Sequence, residues 1–198
     1  EGMNGPALQI VHDGAEALEV VLAVTLYRAG ELPLHRTECA LQIVPRSAQA
    51  LRVEALFERF VDVGYVYRFG PVSHDLIVAE LKAQDGRLLA RACNLPVQTR
   101  VQLDDLGLGG ALESRAGQWG LRLWTRRFAR RVEIELDSSD VLPEDDFFHL
   151  PPGAEHWVAL RTLRGEPLTS GQVKSLRLSL RALNQRAPSE PITLGATS

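Results

Sequence analysis

The chain has few of the residues and motifs that would tie it to a particular chemistry. Its 198 residues include two cysteines, one methionine and five histidines. There is no G-x-S-x-G elbow, no phosphate-cradling glycine loop, no H-E-x-x-H and no C-x-x-C motif. We therefore assign no catalytic residue, no metal ligand and no cofactor from motifs.

Charge and hydropathy exclude two further classes of partner. The formal net charge is −3 and the lysines do not cluster, so we expect no nucleic-acid partner. The longest apolar run, residues 17–26, is interrupted by Glu19 and falls short of the ~20 residues that span a bilayer. No signal peptide is visible. We expect a soluble protein. Its localisation is not determined by the sequence, and it would be periplasmic or secreted if a signal peptide precedes residue 1.

The titratable side chains form no obvious site. The histidines are His12, His35, His74, His149 and His156, and none has a ligand-like spacing to a second His, Cys or carboxylate. Glu133 and Glu135 alternate with apolar residues, which indicates a solvated strand face. The run Glu144-Asp145-Asp146 follows a proline and is interpreted as solvated loop charge, with Ca²⁺ binding as the alternative. Asp104-Asp105 is typical of a linker turn.

Helical periodicity is scarce, and most segments alternate with a period of two. Leu18 to Leu26 places five apolar residues on one face, and a second strand is predicted from about Leu34 to Val44. Pro45 ends it. The dipeptide Asp85-Gly86, between two apolar strands, predicts a hairpin. A strand through residues 51–53 followed by a helical turn is preferred over a short helix.

Further strands are predicted at residues 119–125, 131–136, 155–163 and 176–184, with a short terminal strand at 192–194. A boundary falls near Leu95-Pro96-Val97. The fold prediction is all-β, with two tandem immunoglobulin-like antiparallel β-sandwiches, residues 1–97 and 98–198. Each is of roughly a hundred residues, the size typical of such a domain.

Cys39 and Cys93 leave two alternatives open. Their separation would suit a bridge between the two sheets of an immunoglobulin-like domain. However, Cys39 shares its alternation phase with Leu41 and Ile43, which favours a buried position. Two buried free thiols are therefore preferred over a disulfide.

Two tryptophans are the best candidates for contact with a ligand. Trp124 shares its alternation phase with Arg122 and lies opposite in phase to Leu121 and Leu123. Trp157 is likewise opposite in phase to Val158 and Leu160, so both tryptophans are predicted to face away from a core. An outward indole can stack on a sugar ring. The alternatives are packing against another domain, an arginine lying over the ring, or burial after all. Trp119 is interpreted as a residue at the edge of the core.

Residues 146–153, DFFHLPPG, are the most specific stretch of the chain. Two adjacent aromatics are expected to end a strand, and Pro-Pro-Gly to turn the chain into the next strand at Glu155. The stretch resembles the F/Y-F-x-L-x-P-G signature near the C-terminus of β-mannosidases of glycoside hydrolase family 2. Similar matches cover most of the chain, at residues 56–62, 65–71, 74–79, 124–129, 131–135 and 183–184.

The resemblance implies a multidomain enzyme with a jelly-roll, a sandwich, a (β/α)₈ barrel and C-terminal sandwiches. Its catalytic glutamates belong to the barrel, and no segment here matches their motifs, so no catalytic residue is carried over. The implied partner is the catalytic barrel of the same full-length chain. The parent enzyme would hydrolyse terminal β-mannosidic bonds in oligosaccharides.

Three hypotheses for function follow. The first is a non-catalytic C-terminal region that supports or borders the barrel of a β-mannosidase-like glycosidase. The second is a carbohydrate-binding module that engages manno-oligosaccharides through Trp124 and Trp157. The third is an adhesive or scaffolding sandwich unrelated to sugars.

Overall fold

The computed structural model describes residues 5–64, 73–96 and 101–194. The chain divides into two compact units, Glu1–Thr99 and Arg100–Ser198. Within the described ranges, no helix is both long and apolar enough to cross a membrane. The part of the family resemblance at residues 65–71 lies outside the described residues.

The first unit contains six strands and one turn of 3₁₀ helix in its described part. The strands are β1 (Ala7–His12), β2 (Leu18–Arg28), β3 (Leu32–Ile43), β4 (Ser47–Arg52), β5 (Leu76–Ala83) and β6 (Leu88–Asn94), and the 3₁₀ turn is Val53–Leu56. Four strands form an antiparallel sheet in the order β3-β2-β5-β6, and β1 pairs with β4. The strand and helical turn expected near residues 51–56 are both present.

The core of the first unit lies on one face of the four-stranded sheet. Leu22, Val24 and Leu26 alternate along β2 and are almost fully buried, beside Ile77 and Ala79 of β5. The predicted period of two is therefore correct for this strand, because successive residues point to opposite faces. The neighbouring positions Ala23 and Thr25 are also buried.

The hairpin between β5 and β6 forms at the predicted dipeptide. Gly86 has φ +85°, and its amide donates to the Ala83 carbonyl at 2.9 Å. The Asp85 side chain accepts from the Arg87 amide, also at 2.9 Å. Glycine adopts this backbone conformation at little cost, which is why the turn is legible from sequence.

Both cysteines are free thiols, and both are half-buried rather than buried. They lie on β3 and β6, which are separated by β2 and β5. Cys39 is opposite Leu22, which faces the core, whereas Cys93 is opposite Val78 on the other face. A disulfide is excluded, since three strand spacings amount to ~14 Å. Burial raises the pKa of Cys93 to about 11, against an opposing effect of Arg91.

The described part of the second unit, residues 101–194, contains seven strands and one short helix. The strands are β7 (Gly109–Arg115), β8 (Gln118–Trp124), β9 (Ala129–Leu136), β10 (Val141–Pro143), β11 (Phe148–Leu150), β12 (Glu155–Thr162) and β13 (Leu178–Arg181), and the helix is α1 (Ser170–Ser175). They form a four-stranded sheet, β10-β12-β8-β7, and a three-stranded sheet, β11-β9-β13. The buried core draws Leu121 and Leu123 from the first sheet and Val132 and Leu180 from the second.

Sequence reasoning missed several elements of the second unit. Strands β7, β10 and β11 were not predicted as separate strands, and β7 begins inside the glycine-rich patch. The helix was also missed, although Thr169 and Gln172 form a complete capping box at its start. Ile192 makes only an isolated bridge to Leu178, so the expected terminal strand is absent from the described residues.

The described residues form strands, with only one short helix and one 3₁₀ turn, so the fold class is all-β. All the named sheets are antiparallel, as expected of β-sandwiches. Among the described strands, β3 and β6 form the edges of one four-stranded sheet, and β10 and β7 those of the other. Two of these edge strands contain a proline, Pro33 in β3 and Pro143 in β10.

Candidate functional site

Trp124 and Trp157 lie on the same outer face of the β10-β12-β8-β7 sheet. Trp157 is opposite Arg122 and Glu155 is opposite Trp124 in the antiparallel register of β12 and β8. Opposed residues share a face, and Leu121 and Leu123 fill the other face with no exposed surface. The predicted outward direction matches this geometry. Both indoles are half-buried.

Glycines make room for the two indole rings. A Cβ built on Gly120 would lie 2.5 Å from Cε2 of Trp157, and one built on Gly109 would lie 2.9 Å from Nε1 of Trp124. A real side chain does not approach that closely, so each ring rests directly on a glycine of the neighbouring strand. The glycines at these positions therefore set the height of the rings above the sheet.

Arginines lie over both rings. The guanidinium carbon of Arg122 is 4.9 Å from the centre of the Trp124 ring, and that of Arg115 is 5.3 Å from the Trp157 ring. These are cation–π distances. We call the surface formed by Arg115, Arg122, Trp124, Trp157, Glu113 and Glu155 the tryptophan face. The alternative in which an arginine covers the ring is thus the geometry observed.

Glutamates hold these arginines in place. Arg122 pairs with Glu113 at 3.3 Å and with Glu155 at 3.1 Å, and Arg115 pairs with Glu113 at 2.6 Å. Because every guanidinium of the face has a carboxylate, the charges neutralise one another and the arginine stems cover the aromatic surface. A sugar stacking on either ring would have to move a guanidinium first.

The indole N–H of Trp157 is buried and has no hydrogen-bond partner among the described residues. A buried donor without an acceptor costs free energy, so this N–H would gain from an acceptor brought by a ligand or a water molecule. Trp119 packs at the margin of the core, as predicted.

The carboxylates noted in the sequence are engaged with separate partners. Glu144 pairs with Arg161, Asp145 is 3.3 Å from His156 Nε2, and Asp146 accepts from backbone amides. In the ranges that the structure covers, no three His, Cys, Asp or Glu side chains could hold a metal ion. The arrangement does not resemble the paired carboxylates of a glycosidase.

The signature stretch turns differently from the expectation. The two aromatics were expected to end a strand, but Phe148 begins strand β11, and Phe147 precedes it with φ +55° and 59% of its surface exposed. The reason is Asp146, whose Oδ1 accepts from the amides of Phe147 and Ile134, both at 2.9 Å. Strand β11 follows this side-chain turn and ends at Leu150, which is fully buried, and the Pro-Pro-Gly turn comes next as predicted.

A bulge faces this turn on strand β9. Phe148 is opposite Val132 and Leu150 is opposite Ala129, so Arg130 and Arg131 together oppose His149. Arg131 takes φ +48°, and its amide donates to Nδ1 of His149 at 3.1 Å. The bulge and the exposed Phe147 were not found from sequence, although adjacent aromatics in a two-residue period already place one of them outward.

No family model matches the chain, and no curated protein matches it. Solved structures do match. The exo-chitosanase CsxA of Amycolatopsis orientalis aligns with a TM-score of 0.64 and 12% identity, over 94% of this chain and 25% of that one.

A second similar structure is the β-D-mannosidase of Dictyoglomus thermophilum, with a TM-score of 0.62 and 17% identity, over 94% of this chain and 21% of that one. At such identities the likeness shows the fold alone. The chain thus has the fold of an all-β region that spans about a quarter of the length of these two glycosidases.

Proposed function

We propose that the chain is a non-catalytic β-sandwich region of a multidomain glycoside hydrolase, and that it supports or borders the catalytic barrel of the same full-length protein. The observation that carries the proposal is the match over 94% of the chain to two such enzymes, of which it covers only a quarter or less. Two immunoglobulin-like sandwiches, with a boundary at residues 97–98, are part of the proposal.

Within the glycoside hydrolases, the parent that we propose is a β-mannosidase-like enzyme that hydrolyses terminal β-mannosidic bonds. The support is the DFFHLPPG stretch, together with the likeness to a β-D-mannosidase. An exo-chitosanase matches equally well in fold, so the sandwich region does not decide between the two sugars.

The test is a hydrolysis assay with the chain alone and with the full-length parent protein, on aryl β-mannoside and aryl β-glucosaminide. We expect no turnover by the chain alone and turnover of the mannoside by the parent. Turnover by the isolated chain, or a parent protein without a barrel, would refute the proposal. Preference for the glucosaminide would refute the mannosidase assignment alone.

A second candidate function is carbohydrate binding by Trp124 and Trp157. It is favoured by one observation, the placement of both rings on one outer face, with the Trp157 N–H lacking an acceptor. Because Arg115 and Arg122 lie over the rings, binding of a sugar would require the guanidiniums to move aside.

Tryptophan fluorescence during titration with manno-oligosaccharides tests this second function. If it is correct, Trp124→Ala and Trp157→Ala each weaken binding, whereas Trp119→Phe, a change at the core margin, does not. Arg122→Ala, which uncovers the Trp124 ring, should strengthen binding. The absence of saturable quenching in the unchanged protein would eliminate this function and leave the supporting role.

A further inference from the structure

The second unit contains a concave pocket on the side of the β11-β9-β13 sheet. Its volume is about 420 Å³, within the range of small-molecule sites. The side chains that matter for its chemistry are Arg131, Glu133, Phe147, Arg181, Leu183 and Arg186. We call it the arginine pocket. It is separate in sequence from the tryptophan face, and it holds no residue of that face.

The backbone around the arginine pocket is strained at two points. Arg131 and Phe147 both adopt the left-handed conformation, which non-glycine residues rarely take. Strain of this kind persists only where the surroundings hold it, and it concentrates at ligand sites. Here the Asp146 carboxylate and the His149 ring supply the hydrogen bonds that hold it.

The charges of the pocket are unbalanced. No hydrogen bond or ion pair joins the guanidinium of Arg131 or Arg186 to a described residue, although the charge of Arg186 acts on the Asp105 carboxylate and lowers its pKa. Arg181 has only a distant pair with Glu135, at 3.5 Å. These positive charges act on the neighbouring imidazole of His149. Burial, and then the charges of Arg130 and Arg131, lower the pKa of His149 below its ordinary value.

Each feature of the pocket corresponds to part of one kind of ligand. A guanidinium binds a carboxylate through two parallel hydrogen bonds, and the guanidiniums of Arg131 and Arg186 make no such bond with a described residue. The exposed ring of Phe147 offers a flat apolar surface for the carbon face of a sugar. The Glu133 carboxylate can accept hydrogen bonds from hydroxyl groups.

We propose that the arginine pocket binds a carboxylate-bearing sugar of the hexuronate class, with its carboxylate at Arg131 and Arg186 and its ring against Phe147. The inference goes beyond the supporting role proposed above and does not depend on it. A neutral sugar offers the guanidiniums only uncharged hydroxyl acceptors, without the charge and paired oxygens of a carboxylate. A simple carboxylate leaves Phe147 and Glu133 unused.

The experiment is a titration of the ¹⁵N-labelled chain with methyl β-D-glucuronide, followed by amide chemical shifts. We expect saturable shifts around residues 131–134, 146–149 and 181–186, with a Kd on the order of 1 mM for so small a ligand. Methyl β-D-glucoside and acetate are the comparison ligands. Equal binding of either, or no saturable shift with the glucuronide, would overturn the proposal.

Variants assign the contacts. Arg131→Gln and Arg186→Gln should each weaken glucuronide binding about tenfold or more, because each removes a charge-assisted hydrogen-bonding group. Arg164→Gln removes the same charge from an exposed turn outside the pocket and should leave binding unchanged. Equal weakening in all three would mean that only net charge matters, and would overturn the assignment.

Phe147→Gly tests the ring while keeping the local backbone, because glycine accepts φ +55° at no steric cost. Glucuronide affinity should fall toward that of acetate, while thermal stability is kept or rises. Ala116→Gly, which relieves the same conformation in a distant turn, should leave affinity unchanged. Unchanged affinity in Phe147→Gly would remove the sugar from the proposal.

Discussion

The tryptophan face and the arginine pocket are both arginine-rich surfaces of the second unit, but they differ in whether their arginines form ion pairs. On the tryptophan face, Glu113 and Glu155 satisfy the guanidiniums, whose stems cover aromatic rings. In the arginine pocket, the guanidiniums of Arg131 and Arg186 make no hydrogen bond or ion pair with a described residue, and Arg186 acts on Asp105 only through its charge. An exposed phenylalanine lies beside them. A paired arginine stabilises a surface, whereas an unpaired one in a concavity remains able to bind an acceptor.

The largest expected effect removes both surfaces together. Val132 has no exposed surface and lies on β9, which pairs with β11 and β13. Val132→Asp buries a carboxylate without a partner, and we expect a loss of about 4 kcal/mol or more, enough to unfold the second unit. Urea denaturation followed by tryptophan fluorescence measures it. Val132→Ile is the apolar control, and a shared midpoint for both variants would contradict the packing.

A smaller loss should affect the tryptophan face alone. Gly120→Ala brings a Cβ to within 2.5 Å of the Trp157 ring and 2.6 Å of the Val158 carbonyl oxygen. The ring must shift, at a cost of about 1–3 kcal/mol. Gly171→Ala, at the start of α1, would bring a Cβ no closer than 3.9 Å to Thr169 Oγ1 and should be neutral or slightly stabilising. Thermal midpoints that fall equally would show that the crowding at Gly120 is not the cause.

The corresponding change for the arginine pocket is Asp146→Ala. It removes the acceptor of two backbone amides, those of Phe147 and Ile134, and should cost about 1–3 kcal/mol. Asp146→Asn retains an acceptor oxygen and should lose less. Hydrogen exchange at the amides of residues 134 and 147 reports the effect directly. Protection that persists in Asp146→Ala would show that the side-chain turn does not hold Phe147.

Removal of Arg122 tests what a paired arginine contributes. Arg122→Ala uncovers the Trp124 ring and breaks two pairs with glutamates, and we expect a loss of about 1 kcal/mol. The Trp124 emission should shift to longer wavelength. Arg161→Ala is the control, because it breaks the pair between Arg161 of the same sheet and Glu144 without uncovering a ring. The tryptophan emission of this variant should not change. Identical spectra for the two variants would argue against the contact.

The smallest effect is a dependence of stability on pH through His149. Its pKa is lowered in the folded protein, chiefly by burial and then by Arg130 and Arg131, so the unfolded chain binds the proton more readily. Stability should therefore fall as the pH drops below about 6.5 and level off below the folded pKa. NMR titration of the imidazole measures this pKa. In Arg131→Gln it should rise toward the ordinary value, and an unchanged pKa would contradict the charge effect.

The fold was largely predictable where local signals agree. The alternation of Leu22, Val24 and Leu26 defined β2, and Asp85-Gly86 defined the hairpin between β5 and β6, because both signals depend on neighbours in sequence. The outward direction of Trp124 and Trp157 followed from the same alternation. Whether an arginine covers a ring depends on strands that are distant in sequence. The contacts of Arg115 and Arg122 with the indole rings could therefore not be predicted.

The arginine pocket was not predictable for a related reason. Its conformation at Phe147 is imposed by a hydrogen bond from Ile134, which lies on another strand, to Asp146. The sequence shows adjacent aromatics and adjacent arginines, but not the bulge that opposes them to His149. Register shifts of this kind arise from tertiary packing and override a simple period of two.

The prolines of the edge strands bear on how the protein behaves at high concentration. Pro33 and Pro143 each remove a backbone donor from an outermost strand. An edge that lacks a donor is a poor template for pairing with a strand of another molecule. Arg36 and Glu38 add charge to the β3 edge, which contains Pro33. These edges should resist intermolecular β-association, and Pro33→Thr is the substitution that would make the protein more prone to aggregate.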